Sequence, residues 1–311
     1  NSDGTLEVLV AIQAGDAIQV EIRQFDGTAL PGWPQPMGSR WPCLSPSVGD
    51  IDNDGQVEIV AFSSDSLCAW EADGTRMNGW PVVPASGYVF YGWSSPALAD
   101  FDRDGDLEIV VVSYIQGPPF DGYIHVYDHA GKPFRGWPYH CVIYPNDTPA
   151  IGDVDGDHDL EIVISTHDYT LHALDLDKNT VLGWPFSEFG LTGCYPILGD
   201  LDGDDNLEII TGDNRTRNGG RLHAFDHDGT VAACWPLGTI GFTAWNSAVL
   251  GDVEPNNTVN MVNLSVSSAA GEAWVWLWEL SAAYDRDKIE WGCLSHDVWH
   301  TGCYGFQVPS N

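Results

Sequence analysis

Positive charge is what this sequence most lacks. Its 311 residues include 12 Lys plus Arg against 45 Asp plus Glu, a formal net charge of −33, and the only lysines are Lys132, Lys178 and Lys288. Phosphate-rich partners require clustered cations, so this balance excludes nucleic acid and anionic membrane as partners. No apolar run approaches the length of a membrane-spanning helix, which argues against membrane insertion. The opening residues have no signal-peptide pattern, the expectation for a mature or trimmed chain. The seven cysteines lie far apart and none forms a CxxC, which excludes a zinc ribbon, a thioredoxin-type site and haem attachment. Their number fits an oxidising compartment with up to three disulfides and one thiol left over. Catalytic signatures are missing as well: there is no GxSxG, HExxH or Walker sequence. Disorder is excluded in turn, because 43% of the residues are hydrophobic and 12% aromatic.

What the sequence does contain is a repeat. PSVGDIDNDGQVEIV, starting at Pro46, returns as PALADFDRDGDLEIV at Pro96, PAIGDVDGDHDLEIV at Pro149 and PILGDLDGDDNLEII at Pro196, with a worn copy, AVLGDVEPNNTVNMV, at Ala248. The leading aspartates Asp50, Asp100, Asp153, Asp200 and Asp252 are 50, 53, 47 and 52 residues apart, and NSDGTLEVLV at the start matches the second half of the motif. A second marker, GWP or a relative, runs in phase at Trp33, Trp80, Trp137, Trp184, Trp235 and Trp291. Between the markers lie alternating strands ending in DG-type turns, such as SLCAWEADGT and RLHAFDHDGT, so each unit reads as four short strands. Repeated four-stranded units without a helical segment predict an all-β protein, a β-propeller of four-stranded blades. Six blades are expected, in units of about 1–45, 46–95, 96–148, 149–195, 196–247 and 248–311 forming one domain over residues 1–311. Seven are possible if the tail and a preceding segment form another. The tail LSHDVWHTGCYGF is expected to close the ring by supplying the strand missing from the first unit. The recurring tryptophan is expected as blade-packing core.

The Asp-rich loops carry the clearest chemistry. Asp50, Asp52 and Asp54 stand at positions 1, 3 and 5, Gly55 at 6, Gln56 at 7 and Glu58 at 9. Such spacing gathers hard oxygen ligands, with position 7 offering its backbone carbonyl, and predicts Ca²⁺ over the stricter Mg²⁺. The second loop repeats it with Asp100, Asp102, Asp104, Asp106 and Glu108; the third with Asp153, Asp155, Asp157, Asp159 and Glu161; the fourth with Asp200, Asp202, Asp204, Asn206 and Glu208. His158 and Asp205 replace the position-6 glycine and require a left-handed backbone there. The first unit keeps Asn1, Asp3, Thr5 and Glu7, whereas Asp252, Glu254, Asn256 and Asn260 make a poor fifth loop. About four to five structural ions are expected, clamping strands and relieving carboxylate repulsion.

With these loops in view, the units resemble the FG-GAP or VCBS repeats of integrin α-subunit propellers and of bacterial secreted proteins. The resemblance covers essentially the whole chain and implies Ca²⁺ in the DxDxDGxxE loop. The ending SHDVWHTGCY resembles a closing segment of bacterial FG-GAP proteins. Departures are the worn loop, the apparent six blades where integrins have seven, and the number of cysteines.

Away from the loops, aromatic residues in the linkers after each fourth strand suit sugar stacking or partner anchoring, or simply plug the ring. Trp41, Tyr91, Trp93, Tyr144, Tyr195 and Trp245 are the ligand-binding candidates, with Arg215 and Arg217 as a cationic pair for an acidic sugar or carboxylate. Together these features predict a secreted, extracellular or cell-surface recognition and adhesion module for a glycan or protein. The alternatives are a carbohydrate-active enzyme such as a polysaccharide lyase, for which Arg215, Arg217 and His167 are the nominated cluster, and a self-associating subunit of a surface layer or filament.

Overall fold

The computed structural model describes residues 6–145, 147–181, 183–185, 194–216, 219–243, 247–254, 256–267, 271–297 and 301–305. Within these the protein is built of antiparallel strands, with one short 3₁₀ turn at Arg286–Lys288. The chain divides into two compact units, 1–145 with 300–311, and 146–299.

The first unit holds three sheets. One orders β1 (Glu7–Ala14), β2 (Ala17–Gln24) and β3 (Gln35–Gly38); the next orders β4 (Ser47–Gly49), β5 (Glu58–Ser63) and β6 (Ser66–Glu71). The third joins β7 (Tyr88–Phe90), β8 (Ala97–Ala99), β9 (Glu108–Ile115), β10 (Gly122–Tyr127) and β11 (Tyr139–Cys141). The second unit repeats the plan. Its sheets are β12 (Ala150–Gly152), β13 (Glu161–Thr166), β14 (Thr170–Leu174); β15 (Ile197–Gly199), β16 (Glu208–Thr216), β17 (Gly219–Phe225), β18 (Leu237–Ile240); and β19 (Val249–Gly251), β20 (Thr258–Ser267), β21 (Glu272–Ala283). The EIV-like segments become β5, β9, β13 and β16. As continuous apolar runs they suit strands covered on both faces, and β5 and β13 are buried at every position.

The three-residue strands β4, β8, β12 and β15 end on a small residue for a packing reason. A methyl at Gly152 would lie 2.8 Å from Leu198 Cδ1 of the next repeat, and one at Gly199 2.8 Å from Leu250 Cδ1. These leucines belong to the apolar interior, as do Ile51, Phe62 and Trp70 in the first unit.

The tryptophan marker is a latch between successive repeats. Trp33 Nε1–H donates to the Ala72 carbonyl at 3.0 Å, Trp80 Nε1–H to His129 at 2.9 Å, and Trp184 Nε1–H to His227 at 3.3 Å. Each acceptor lies in the hairpin turn of the following repeat. The preceding glycine is required twice over. Gly79 has φ of 95°, and a Cβ there would sit 2.1 Å from the Ala130 carbonyl oxygen. The proline that follows is joined through a cis peptide at Trp33, Trp80, Trp137, Trp184 and Trp235.

Trp291 is core, as the sequence reading expects: it lies buried, bridging antiparallel to Leu198 of β15 and meeting His296 edge to face. Two features depart from that reading. Thr301 and Gly302 of the tail, expected beside the first sheet, instead hydrogen-bond with β4 and β8, through Val48 N–H to Thr301 O and Leu98 N–H to Gly302 O, both 2.7 Å. The cysteines are not joined by disulfides; six are buried and Cys234 is exposed. Burial pushes the Cys43 thiol up to about 12, so it is protonated and unreactive at neutral pH.

The latch makes a graded prediction. Trp80→Ala removes a buried ring and is expected to cost about 3–5 kcal/mol. Trp80→Phe keeps most of the apolar volume, loses the bond to His129, and should cost nearer 1 kcal/mol. Equal shifts in the urea midpoint for the two variants would remove the hydrogen bond and the ring packing as separate contributions.

Candidate metal centres

Each acidic loop is a bridge between a three-residue strand and the buried strand beside it. The register pairs Gly49 with Glu58, Ala99 with Glu108, Gly152 with Glu161 and Gly199 with Glu208. Position 9 therefore stands at the mouth of its own loop, next to position 1. From there the glutamate Oε2 accepts the backbone N–H of position 2: Ile51 to Glu58 at 2.8 Å, Phe101 to Glu108 at 3.0 Å, Val154 to Glu161 at 2.8 Å and Leu201 to Glu208 at 2.6 Å. The position-2 side chains are apolar and buried, pinning the loop to the interior.

Position 1 closes the loop from inside. Asp50 accepts from Asp54 N–H at 3.0 Å and Gly55 N–H at 2.9 Å, and Asp100 from Asp104 and Gly105 at 3.1 and 3.0 Å. In the later loops His158 and Asp205 donate instead of glycine, to Asp153 and Asp200. The backbone at position 6 is left-handed in all four, with φ of 88° at Gly55, 100° at Gly105, 75° at His158 and 74° at Asp205, as the sequence required. Position 4 is left-handed as well, at Asn53, Arg103, Gly156 and Gly203. The sequence carried a signal for that, since two of these four residues are glycine.

Three carboxylates converge in each loop: Asp50, Asp52 and Glu58; Asp100, Asp102 and Glu108; Asp153, Asp155 and Glu161; Asp200, Asp202 and Glu208, each trio offering oxygens within 4.8 Å of one another. The position-5 aspartates are engaged elsewhere: Asp54, Asp104, Asp157 and Asp204 accept the position-7 N–H of Gln56, Asp106, Asp159 and Asn206 at 2.8–3.0 Å.

The test of fit to a cation is the state of the remaining oxygens. Glu58 Oε1, Asp52 Oδ1, Asp102 Oδ1 and Asp153 Oδ1 are shut off from solvent and receive no hydrogen bond. A buried carboxylate oxygen without a donor is costly, and a hard divalent cation satisfies several at once. The donor set therefore fits a divalent metal of oxygen preference and is compatible with Ca²⁺. Burial, reinforced by the neighbouring aspartates, pushes Glu58, Glu108, Glu161 and Glu208 up to about 8.

The loops differ in their counter-charges. Arg135 donates to Asp102 Oδ2 at 2.7 Å, and His129 lies 2.8 Å from Asp106. Lys288 pairs with both Asp200 and Asp205. Glu290 accepts the Asp153 N–H at 3.0 Å, and Glu71 is raised by desolvation and then by the nearby charges of Asp52 and Asp54. Neither glutamate belongs to the repeat motif, so sequence spacing could not point to them. In the worn loop Asn260 Oδ1 accepts from Val253 and Glu254 N–H at 2.8 and 2.9 Å, keeping the glutamate's bond without its charge. Glu7 stands at the start of β1; Asn1, Asp3 and Thr5 lie outside the described residues.

The aromatic candidates separate into groups. Trp41 and Trp93 are 58% and 65% exposed, and Gly92, the residue before Trp93, packs against the Trp41 Cβ. Beside Trp93 in sequence, Tyr91 packs with Tyr114 and Tyr144 at ring separations of 5.3–6.1 Å, and Phe120 adds to Tyr144 at 6.3 Å. Tyr195 is buried and leaves the surface set. Arg215 lies in β16 with its side chain undescribed, and Arg217 and Trp245 fall outside the described residues. His167, nominated with that arginine pair, is exposed. His125, in the third strand of its repeat, is partly buried, bonded to Ser113 and Tyr127, and lowered by desolvation to about 4, which leaves it neutral at pH 7.

The buried glutamates set a pH dependence. Their folded value of about 8 exceeds the ordinary 4.5, so between those limits the metal-free native state holds protons that the unfolded chain has released. Native stability must then fall as pH rises through that window. The melting temperature in chelator is expected to drop between pH 5 and pH 8 and to drop less in Glu58→Gln. A profile that rises with pH would contradict burial of these carboxyls.

Comparisons agree with this architecture. Residues 1–61 match the model of the FG-GAP-like repeat. No curated protein sequence matches the chain. Among solved structures, the chain is similar to the V. cholerae biofilm matrix protein Bap1, with a TM-score of 0.58 and 19% identity over 86% of this chain and 42% of that one. It is similar to the C-terminal domain of Pseudomonas aeruginosa PilY1, with a TM-score of 0.57 and 11% identity over 87% and 78%. BBS1N, solved in complex with ARL6DN, gives 0.57 and 13% over 88% and 75%. The chain thus spans less than half the length of Bap1, and at these identities the likeness concerns the fold. The chain carries an FG-GAP-like repeat and has an all-β, β-propeller-like fold.

Proposed function

We propose that the protein is an extracellular calcium-binding recognition and adhesion module, that Ca²⁺ in the four acidic loops is structural, and that the aromatic cluster of the first unit binds its ligand. The observation that carries the recognition reading is the exposure of Trp41 and Trp93, the latter two residues along the chain from Tyr91, whose ring packs with those of Tyr114 and Tyr144. Large exposed aromatics are suited to stacking on sugar faces or anchoring a partner protein. A glycan is the preferred ligand because the indole faces suit sugar stacking. Supporting an extracellular setting, Bap1 is itself a biofilm matrix protein, and no helix among the described residues is long and apolar enough to cross a membrane.

The calcium is assigned a structural role because each trio lies between two strands of one sheet, and three of the four have buried oxygens without a donor. Catalysis by a metal would call for a partnered acid–base group beside an open coordination position. Ligand linkage adds RT ln(1 + [L]/Kd) per site, about 2.7 kcal/mol at a hundredfold excess. Several such sites rival the whole stability of a domain, about 5–15 kcal/mol.

Two measurements test the proposal. The melting temperature is expected to fall in EDTA, recover with Ca²⁺ and recover less with Mg²⁺; Asp102→Ala should lower it less than chelation does, and Asn256→Ala hardly at all. An unchanged melting curve after verified metal removal would reduce the loops to acidic turns. Separately, a glycan array and a panel of extracellular proteins probed in calcium should give a ligand whose binding weakens about thirtyfold in a Trp41→Ala, Trp93→Ala double variant, the loss typical of a tryptophan anchor. Undiminished binding by that variant would move the site elsewhere.

A further inference from the structure

The last sheet ends differently from three of its counterparts, although those of β6 and β14 also have no fourth named strand. In three other sheets the third strand is paired by a fourth: β2 by β3, β10 by β11 and β17 by β18. In the last, β21 runs for 12 residues beside β20, and among the described residues no strand pairs with its outer edge. Such an edge presents a row of backbone donors and acceptors to any strand that reaches it.

The two faces of β21 are unlike. On one, Trp276 Nε1–H donates to Ser265 Oγ at 2.8 Å, Trp276 stacks on Trp278 at 5.8 Å, and Trp278 and Leu280 pack on the core of the second unit. On the other, Val275 is 74% and Leu277 47% exposed, and the residue opposite Val275 on β20, Leu264, is exposed too. Val266, a further exposed residue, faces Ala273. Near the end of the strand Ala282 N–H donates to Leu201 O at 3.3 Å; before it, among the described residues, an edge without a paired strand coincides with an exposed apolar face.

We propose that β21 pairs antiparallel with β21 of a second copy of this chain about a two-fold axis. Charge selects that occupant. Two chains of −33 repel, and contact is least costly where carboxylates are sparse. From Thr258 to Ala283 the sequence holds Glu272 and Glu279 as its only charged residues. The strand is also self-complementary, as a two-fold interface demands. With Trp276 opposite its own copy, Trp274 faces Trp278 and Val275 faces Leu277, while Glu272 meets Leu280 and Glu279 meets Ala273. No like charges stand opposite one another, and aromatic and aliphatic cross-strand pairs are the favourable kind.

Sedimentation velocity of the full chain in calcium, over a micromolar concentration series at low and high sodium chloride, tests the pairing. The wild type is expected to dimerise reversibly and more tightly at high salt, where repulsion is screened. Val275→Lys with Leu277→Lys changes exposed side chains, so the melting temperature should hold, and the dimer should weaken about tenfold or more. A second readout separates edge pairing from simple stacking of the apolar faces: amide exchange in β21 should slow as concentration rises. A wild type monomeric at high salt and high concentration would overturn the proposal. So would a dimer indifferent to the double lysine variant, or one leaving β21 exchange unchanged.

Discussion

A buried carboxylate at the ninth loop position ties the sheets to the loops. Glu58, Glu108, Glu161 and Glu208 each begin a buried strand, each reaches back to the N–H two residues into its own loop, and each is almost completely shielded from water. The hydrogen bond fixes the loop's entry. The charge, held where it is costly, creates the demand for a cation. One residue thus serves as joint and, on the proposed calcium reading, as ligand, which would explain why strand and loop recur as one inseparable motif. The folded β-layer and the acidic clusters are two consequences of that arrangement.

The latch acts on the scale above. A repeat with an open edge and an uncovered face is not stable alone, and its neighbour must be held at a defined distance. The indole donates into the next repeat's turn, and the glycine before it lets that turn approach within van der Waals reach. Loop and latch therefore divide the work: the first organises a sheet internally, the second relates it to its successor. The division accounts for the two markers running in phase along the chain.

Much of this was legible in the sequence because repetition supplies its own control. A single DxDxDG stretch is an acidic turn or a metal loop, but four copies in register beside the same EIV strand define both strand and site. The left-handed backbone at His158 and Asp205 followed from aligning them with Gly55 and Gly105. Features outside the period stayed hidden. Glu290 and Lys288 reach the loops from a segment near the C-terminus, and nothing in local spacing marks them as neighbours of Asp153 and Asp200. Trp291 is core as expected, but its partner stayed hidden for a related reason: in phase with the marker yet lacking the proline, it bridges to a different strand, β15. Tyr195 shared its composition and linker position with the exposed aromatics, and only packing distinguishes it.

Asn260 shows where such a scaffold can change. By accepting the same backbone donors through an amide, it preserves the loop's joint while removing the charge that calls for an ion. On the proposed calcium reading, demand for a metal is thus set repeat by repeat, at one atom's worth of chemistry, with the strand pairing left intact. Exchange of glutamate for asparagine would then tune that demand one loop at a time, without redesigning the fold.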